Sequence, residues 1–248
     1  MNQESGIWGI IGGTGLTALD GLEIGAAEEV DTPWGAPSGP LQHGRYAGKP
    51  VVFMARHGNP HRIPPHEINY RANLRAMRDA GVSRIIAVNA VGSINDAMSP
   101  ASLVLPDQLV DYTWGRPQTF FEGNLEATTH IDFTWPYSAS LRRRLLEGAS
   151  EAAIGLTDGG VYACTQGPRL ETAAEIHRLE RDGCDLVGMT GMPEAVLARE
   201  LGVDYVSLCL VVNWAAGKTE NEITLDEIHA NLEAGIGRVH ALLETCLG

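Results

Sequence analysis

The chain has 248 residues, of which 44% are hydrophobic and 20% charged, and it carries a formal net charge of −13 with a pI of about 5.0. This composition is ordinary for a folded globular protein, and the acidity makes nucleic acid and anionic membranes poor partners because like charges repel. The sequence has no basic apolar leader, no run of the roughly 20 apolar residues that a membrane span needs and no CxxC pair among its four cysteines, so we expect a soluble cytoplasmic protein with reduced thiols.

Apolar runs alternate with helical patterns along most of the chain. Their nearly continuous Val, Ile and Leu content is typical of strands that are covered on both faces. The runs predict strands over residues 6–11, 51–55, 84–89, 103–109, 160–163, 186–189 and 205–212, and the helical spacings predict helices over 66–80, 138–154, 171–182, 193–201 and 225–245. We therefore expect an α/β fold in a single domain spanning residues 1–248, with a mixed, mostly parallel central sheet flanked by helices. The segment 111–137, rich in aromatic residues, Pro and Gly, is expected to be a long loop at an interface.

The first predicted strand leads into a glycine-rich turn, Gly12-Gly13-Thr14-Gly15. Glycines allow backbone N–H groups to approach an anion closely, and the Thr14 hydroxyl adds a donor. The pattern Gly13-x-Gly15-x-x-Ala18 also fits a relaxed dinucleotide-binding fingerprint, but the region about 20 residues on, where that motif needs an acidic strand end, has the composition of a loop. The turn alone leaves open an anion site, an ordinary glycine turn and, less favoured, a nicotinamide or flavin site.

The second predicted strand ends in Arg56-His57-Gly58, with His61 close behind. A guanidinium with its forked donors beside an imidazole suits a phosphate group, although a solvated arginine and a capping histidine fit the pattern equally well. A metal ion needs at least a third convergent ligand. No cysteine or carboxylate is placed convincingly with these histidines, so no metal site is predicted.

Two further segments each leave two interpretations open. The third strand is expected to end at Asn89 and to continue as a turn, Asn89-Ala90-Val91-Gly92-Ser93, which either presents N–H groups to a ligand or is an ordinary connection. Glu171 falls near a predicted helix start, where the helix dipole favours a carboxylate. Glu171 is therefore either a capping residue or a ligand-binding one.

The stretch from Met189 to Asn213 is the most informative. An apolar strand ends in Met189-Thr190, a helix follows with Pro193 in its first turn, and a second buried strand ends in Asn213. Polar groups at the carboxyl ends of neighbouring parallel strands mark the ligand site of open α/β sheets. The sequence contains no Gly-x-Ser-x-Gly elbow, P-loop or His-Glu-x-x-His, which favours chemistry in which a substrate is the nucleophile.

Taken together, these segments resemble the trimeric purine nucleoside phosphorylase and methylthioadenosine phosphorylase superfamily over nearly the whole chain. The shared motifs are Gly12-Gly13-Thr14-Gly15, Arg56-His57-Gly58 with His61, Asn69-Tyr70-Arg71-Ala72-Asn73, Asn89-Ala90-Val91-Gly92-Ser93, Gly167-Pro168-Arg169 and Met189-Thr190-x-x-Pro193-Glu194. The resemblance implies phosphorolysis, in which inorganic phosphate, as a co-substrate and without a cofactor, attacks the anomeric carbon of a purine nucleoside and releases the base. It also implies a homotrimer.

The resemblance assigns expected roles to individual residues. Phosphate would be held by Thr14, Arg56, His57, Asn89, Ala90 and Thr190. The nucleoside would be bound by Leu170, Glu171, Met189, Asn213, Trp214, Ala215, Leu225 and Ile228, and by His130 of a neighbouring subunit. Asn213, Arg56 and His57 would be the catalytic residues.

Departures from the methylthioadenosine branch narrow the expected base. That branch carries aspartates at the positions of Asn213 and Ala215 and a serine at that of Glu171, whereas members acting on 6-oxopurines pair a glutamate with an asparagine. Glu171 can accept from N1–H of a 6-oxopurine, and the Asn213 amide can donate to O6 or N7. Because an unpaired buried polar group costs roughly 1–3 kcal/mol, we expect a 6-oxopurine rather than adenine.

The 5′ end of the sugar is expected to meet an apolar wall. Leu225 stands where phosphorylases of unmodified nucleosides place a histidine for the 5′-hydroxyl, with Ile228 one turn on. Unless Leu225 simply packs in the core, such a wall suits a methylthio group and leaves a hydroxyl unpaired. The expected substrate is S-methyl-5′-thioinosine. The alternatives are inosine or guanosine, methylthioadenosine and, from another class, a catalytically idle nucleotide-binding module.

Overall fold

Eleven strands form one sheet within residues 6–123 and 125–248, the part of the chain that the computed structural model describes. The strands are β1 (Ile7–Gly12), β2 (Glu23–Glu28), β3 (Leu41–Tyr46), β4 (Lys49–Ala55), β5 (Val82–Ser93), β6 (Leu103–Leu105), β7 (Gln108–Asp111), β8 (Leu156–Asp158), β9 (Val161–Cys164), β10 (Leu186–Gly188) and β11 (Asp204–Trp214). The helices are α1 (Tyr70–Asp79), α2 (Ala139–Glu151), α3 (Ala173–Arg181), α4 (Gly191–Glu200) and α5 (Leu225–Leu247).

The sheet is mixed and mostly parallel, which confirms the predicted fold class. Its main path runs β2-β3-β4-β1-β5-β10-β9-β7, while β11 pairs with β5 and β6, and β6 pairs with β8. Among the described residues the parallel pairs are β1–β4, β1–β5, β5–β11, β6–β8, β7–β9 and β9–β10, and the antiparallel pairs are β2–β3, β3–β4, β5–β10 and β6–β11.

Strand β5 is the centre of the sheet and is longer than predicted. The sequence predicts a strand that ends at Asn89 and is followed by a turn, and this prediction is wrong. The backbone stays extended to Ser93, because β11 pairs with β5 along its length and β10 pairs with its last residues. Residues 90–93, which include Gly92, are therefore the end of a central strand and not a turn.

The sequence patterns missed three strands and merged two others. Strand β2 is exposed along its whole length and β8 has only three residues, so neither carries a buried apolar run; β3, the third missed strand, contains polar residues and a glycine between its two buried ends. The predicted strand 103–109 is two strands, β6 and β7, with Pro106 between them. Proline has no N–H to donate to a ladder, so it ends the pairing there.

The helices are where predicted, but three of them start later because polar side chains cap them. Asn69 accepts from the N–H of Ala72, so α1 starts at Tyr70 rather than at residue 66. Thr172 and Glu175 form a capping box, so α3 starts at Ala173 rather than at residue 171. Ser138 accepts from the N–H of Leu141, so α2 starts at Ala139 rather than at residue 138.

Helix α4 has a break in its first turn. The backbone of Met192 is extended, and the regular helix begins after it with Pro193 in its first turn, as predicted. Proline is tolerated at this position because the first N–H groups of a helix have no partner within the helix.

The connection between β7 and α2 is the long loop that the sequence predicts. Residues 112–138 contain no helix or strand where they are described. Glu200 of α4 anchors the loop by accepting from the Thr119 hydroxyl (2.7 Å) and the N–H of Phe120 (2.6 Å). The interface role of this loop stays a prediction.

Candidate active site

A cavity of about 230 Å³ opens where β1, β4, β10 and β11 end against the distal half of β5. The predicted site residues that line it are Thr14, Arg56, His57, Ala90, Leu170, Glu171, Met189, Thr190, Asn213, Ala215, Leu225 and Ile228. Residues from distant parts of the sequence thus converge on one concave surface, which is the form that small-molecule sites take.

The strands that deliver Met189 and Asn213 are not parallel neighbours, as the sequence interpretation assumed. Strand β5 lies between them, with β10 antiparallel and β11 parallel to it. Their ends still meet at one cavity, because both strands pair with the last part of β5, and Ala90, Val91 and Gly92 of β5 line the cavity between them.

Asn89 does not line this cavity, so its predicted direct contact with phosphate is not what the geometry offers. Its amide nitrogen donates to the Ser207 hydroxyl (2.6 Å), and its carbonyl oxygen accepts from the Thr190 hydroxyl (2.9 Å). Asn89 is 1% exposed and lies directly behind Thr190. Asn89 can therefore affect the cavity only through Thr190, which lines it.

Trp214 and His130 do not line the cavity either. Trp214 follows Asn213 as the last residue of β11. Its contribution comes from the backbone, because the Trp214 carbonyl accepts from the Asn213 amide at 2.7 Å. His130 is exposed in the loop 112–138. Its expected contact is with a neighbouring subunit, so that role stays a prediction.

The glycine turn after β1 brings backbone close to a buried guanidinium. A Cβ at Gly13 would meet the carbonyl oxygen of Val88 at 2.5 Å and a guanidinium nitrogen of Arg56 at 2.9 Å, so only glycine fits there. The neighbouring Thr14 is half-buried and lines the cavity. Its hydroxyl and the arginine form a cluster of donors that suits an anion.

Arg56 is held by Glu194, a partner that the sequence analysis treated only as part of a shared motif. Its Nε and one terminal nitrogen donate to the two Glu194 oxygens at 2.7 and 2.8 Å, and the other terminal nitrogen donates to the carbonyl of Val88. Both charged side chains are 0% exposed. Burial alone would lower the pKa of Arg56, but the carboxylate of Glu194 outweighs it and raises that pKa, so the guanidinium stays charged. Two of its five N–H groups remain for a ligand.

His57 is a neutral imidazole at neutral pH. Burial, and next the charge of Arg56, lower the pKa of His57 to about 4. Its Nδ1 lies 2.8 Å from the carbonyl oxygen of Ile63, which can only accept, so Nδ1 carries the proton and Nε2 is an acceptor. The ring of His61 stacks on it with centroids 4.3 Å apart.

Protonation of His57 should lower the free energy of unfolding of the protein in acid. Its folded-state pKa of about 4 lies below the ordinary value of 6.5, so between these values the unfolded chain binds the proton more readily. The contribution of His57 to the free energy of unfolding is complete above pH 6.5 and is lost as the pH falls toward 4, with an expected size of roughly 3 kcal/mol.

Urea unfolding of His57→Gln and of the parent chain at several pH values checks this pH dependence. The variant should show a flatter profile in this window, and His61→Gln, at an exposed position, a smaller change; parallel profiles for His57→Gln and the parent would contradict the assignment.

Glu171 is not a helix cap, which resolves the alternative that the sequence left open. The capping box of α3 is made by Thr172 and Glu175. Glu171 instead lines the cavity, and one of its oxygens accepts from the hydroxyl of Thr165 at 2.6 Å. This contact fixes the carboxylate and leaves its second oxygen available to a donor on a ligand.

A β-bulge aims Asn213 into the same cavity. In the pairing of β11 with β5, Val211 lies opposite Val91 and Asn213 lies opposite Gly92, so Val212 is an extra residue. Such a bulge changes the direction of the following side chain and is common beside active sites. Asn231 of α5 stabilises it by donating to the carbonyl of Val212 at 2.9 Å.

The part of the cavity lined by the start of α5 and the residue Ile223 just before it is mostly apolar. Leu225 is 71% exposed, which excludes the alternative that it packs in the core, and it lines the cavity with Ile223 and Ile228. Sequence analysis missed Ile223 and also His229, which is exposed and lies one helical turn after Leu225. The i, i+4 spacing from Leu225 was the available signal for His229.

Membrane spans and metal clusters are both absent from residues 6–123 and 125–248. None of the helices there is both long and apolar enough to cross a membrane. No group of three or more His, Cys, Asp or Glu side chains within these ranges is arranged to hold a metal ion.

The cavity combines a buried arginine, hydrogen-bond donors after a glycine turn, a carboxylate and a carboxamide. Comparison with known proteins identifies the family to which a chain with these features belongs. The chain belongs to the phosphorylase superfamily, whose sequence pattern matches residues 8–248. The expectation of a pentosyltransferase of the nucleoside phosphorylase type is thereby confirmed.

Relatives and solved structures agree with this placement. The chain is 58% identical over 241 residues, 97% of its own length and 98% of the relative's, to a probable S-methyl-5′-thioinosine phosphorylase of Pseudomonas syringae pv. tomato. It is 45% identical over 224 residues, with cover of 88% and 83%, to a probable 6-oxopurine nucleoside phosphorylase of Thermococcus kodakarensis. The structure matches a methylthioadenosine phosphorylase of Schistosoma mansoni in complex with adenine, with a TM-score of 0.93 at 31% identity and cover of 97% and 90%.

Proposed function

We propose that this chain catalyses the phosphorolysis of S-methyl-5′-thioinosine to hypoxanthine and 5-methylthioribose 1-phosphate. The observation that carries the proposal is the pair Glu171 and Asn213, which line one cavity together with the apolar Leu225 and Ile228. A carboxylate and a carboxamide match the N1–H donor and the O6 and N7 acceptors of a 6-oxopurine. Leu225 and Ile228 offer a methylthio group an apolar surface. The Pseudomonas relative supports the same substrate.

The proposed roles follow the lining of the cavity. Phosphate is held by Thr14, Arg56, His57, Thr190 and the backbone of Ala90; the base by Leu170, Glu171, Asn213 and Ala215; the ribose by Met189; and the methylthio group by Leu225 and Ile228. Because Nε2 of neutral His57 is an acceptor, it pairs with a protonated oxygen of phosphate or with a ribose hydroxyl. Asn89 acts only through Thr190.

The proposed mechanism uses positioning and charge stabilisation. The C1′–N9 bond breaks first, and its electron pair goes to the purine. A phosphate oxygen that is held in line with this bond then forms the new bond to C1′. Negative charge that builds on the departing base is stabilised by the Asn213 amide, which donates to it more strongly in the transition state. Arg56 and His57 keep phosphate beneath the anomeric carbon.

The assembly belongs to the same proposal. We propose a cytoplasmic homotrimer of single-domain subunits, each spanning residues 1–248, in which His130 of one subunit reaches the 5′ end of a neighbour's site. The exposure of His130 and of Leu225 is consistent with a partner covering that end. Sedimentation equilibrium of the purified protein tests the trimer.

A second candidate is phosphorolysis of inosine or guanosine, and His229 favours it. An imidazole on the cavity wall one turn from Leu225 can bond a 5′-hydroxyl. The relative from Thermococcus kodakarensis supports this class of substrate. Methylthioadenosine is less suitable, because its 6-amino group finds no carboxylate at Asn213 or Ala215.

One assay separates these candidates. The purified protein is incubated with phosphate and, separately, with S-methyl-5′-thioinosine, inosine, guanosine and methylthioadenosine, and the free base is measured. The proposal expects the highest kcat/KM with S-methyl-5′-thioinosine. A higher value with inosine or guanosine would favour the second candidate, and binding without phosphate-dependent turnover would indicate a catalytically idle binding module.

Replacing Leu225 by histidine should shift the preference toward inosine. The imidazole would supply a partner for the 5′-hydroxyl and remove apolar surface from the methylthio group, so the ratio of kcat/KM for inosine to that for S-methyl-5′-thioinosine should rise roughly 10-fold or more. Leu225→Ala is the control, because it removes apolar surface without adding a hydrogen-bonding group. An unchanged ratio in the histidine variant would place the 5′ end elsewhere.

A further inference from the structure

Arg116 is a buried arginine whose hydrogen-bond partners are all neutral oxygens. It lies in the loop 112–138 and is 7% exposed. One terminal nitrogen donates to the carbonyls of Met189 (2.8 Å) and Met192 (2.6 Å) and to the hydroxyl of Tyr70 (3.3 Å). No carboxylate forms an ion pair with it among residues 6–123 and 125–248.

The same guanidinium also holds the segment that leads to Glu171. Its other terminal nitrogen donates to the carbonyls of Thr165 (3.3 Å) and Gln166 (2.8 Å). The two segments meet tightly beside it, since a Cβ at Gly167 would lie 2.5 Å from the sulfur of Met189. One side chain from a distant loop therefore bridges the wall that carries Glu171 and the wall that carries Met189 and Thr190.

We infer that Arg116 is a positioning residue, which sets the distance between the base-binding carboxylate and the ribose and phosphate contacts of the proposed active site. This inference rests on the proposed function. The carbonyls of Met189 and Met192 bracket Thr190, so fixing both of them fixes the hydroxyl between them. A planar guanidinium can reach five oxygens in several directions at once, which the single ammonium of lysine cannot do.

The positive charge of Arg116 adds to this role. The charge of Arg56 is balanced by Glu194 at bonding distance, whereas that of Arg116 faces neutral oxygens and the ring of Tyr70, whose centroid lies 5.6 Å from its guanidinium carbon. A buried charge behind the Met189–Met192 turn therefore favours an anion in front of it. Arg116 is thus coupled to substrate binding although it does not line the cavity.

Arg116→Lys tests the inference, with Arg142→Lys as a matched control. Arg142 also donates to two backbone carbonyls, those of Leu105 and Pro106, and it pairs with Asp158 on a part of the sheet that does not line the cavity. We expect Arg116→Lys to lower kcat/KM roughly 10- to 100-fold, since small misplacements of reacting groups have effects of this size. Arg142→Lys should stay near the parent value even where both variants lose similar stability in urea unfolding.

Two further measurements separate positioning from general stability. Guanidinium ion added to Arg116→Gly should restore part of the activity, while methylammonium should not. Hydrogen–deuterium exchange should rise in residues 165–171 and 189–192 of Arg116→Lys and stay at the parent level there in Arg142→Lys. If Arg116→Lys does not fold, Tyr70→Phe, which removes one acceptor, should show the same exchange pattern with a smaller loss of kcat/KM.

The outcomes that overturn the inference differ from those that overturn the proposed function. Equal kcat/KM for the two lysine variants, or unchanged exchange in both segments, would reduce Arg116 to an ordinary structural anchor. Absence of turnover by the parent chain with every purine nucleoside would overturn the proposed function, and with it the catalytic part of the inference. The exchange experiment still decides, in that case, whether Arg116 sets the geometry of the two walls.

Discussion

Replacing Asn213 by alanine is expected to lower kcat roughly 100- to 1,000-fold, the usual loss when one donor to a developing negative charge is removed. The amide of Asn213 is directed into the cavity by the bulge at Val212 and is braced by the carbonyl of Trp214. Because its donation to the purine strengthens only as the glycosidic bond breaks, its loss should appear in kcat. The KM for phosphate should stay within about threefold, because the phosphate contacts lie elsewhere in the cavity.

Steady-state kinetics with phosphate and nucleoside varied separately measure this effect. Asn213→Asp is the informative companion, since it keeps the shape of the side chain and replaces its donor with an acceptor. Asn95→Ala is the control, because Asn95 is also partly buried and hydrogen-bonded, to Asp185, but does not line the cavity. Equal losses in kcat and in affinity for phosphate would show that Asn213 holds the site together rather than stabilising the leaving base.

The two residues that decide the base also show how far the sequence can predict the site. The motif Thr172-x-x-Glu175 is a readable capping box, and its spacing alone argues that Glu171 is free of the capping role. The direction of the Asn213 side chain could not be predicted from sequence spacing in this way. It depends on an extra residue in one strand, and a period-2 pattern does not show which residue of a continuous apolar run is unpaired.

Long-range packing explains the other differences. The apolar pattern correctly located β5, but its extension to Ser93 depends on β10 and β11, which are far away in sequence. Arg116 stands in a segment whose composition indicates only a loop, and its importance lies in carbonyl groups that follow β9 and β10, which no side-chain pattern reports. Local signals therefore predicted the helices and the buried strands but missed β2, β3 and β8, and pairing between distant strands decides where several side chains point.

Glu194→Ala should be the most destabilising single substitution in the site. It would leave the guanidinium of Arg56, 0% exposed, without its carboxylate, and breaking a buried pair from one side typically costs about 3–5 kcal/mol. The hydroxyl of Tyr205, which donates to Glu194 at 2.8 Å, would lose its acceptor as well. For a chain of this size the loss corresponds to a fall in Tm of roughly 6–20 °C. Urea unfolding and calorimetry measure it, with Glu175→Ala as the control, since Glu175 forms an equally close arginine pair on the surface.

The double variant Arg56→Met with Glu194→Met distinguishes stability from function. Because it removes both buried charges and fills the space with apolar atoms, it should unfold at a higher urea concentration than Glu194→Ala. It should nevertheless lose phosphorolysis, since the donors of Arg56 that face the cavity are gone. Stability losses that simply add would show that the two side chains act independently. Recovery of stability without activity would mean that apolar residues can replace the buried ion pair as far as folding is concerned. The pair would then be retained for function, because Glu194 holds the charged donors of Arg56 rigidly where phosphate is proposed to bind.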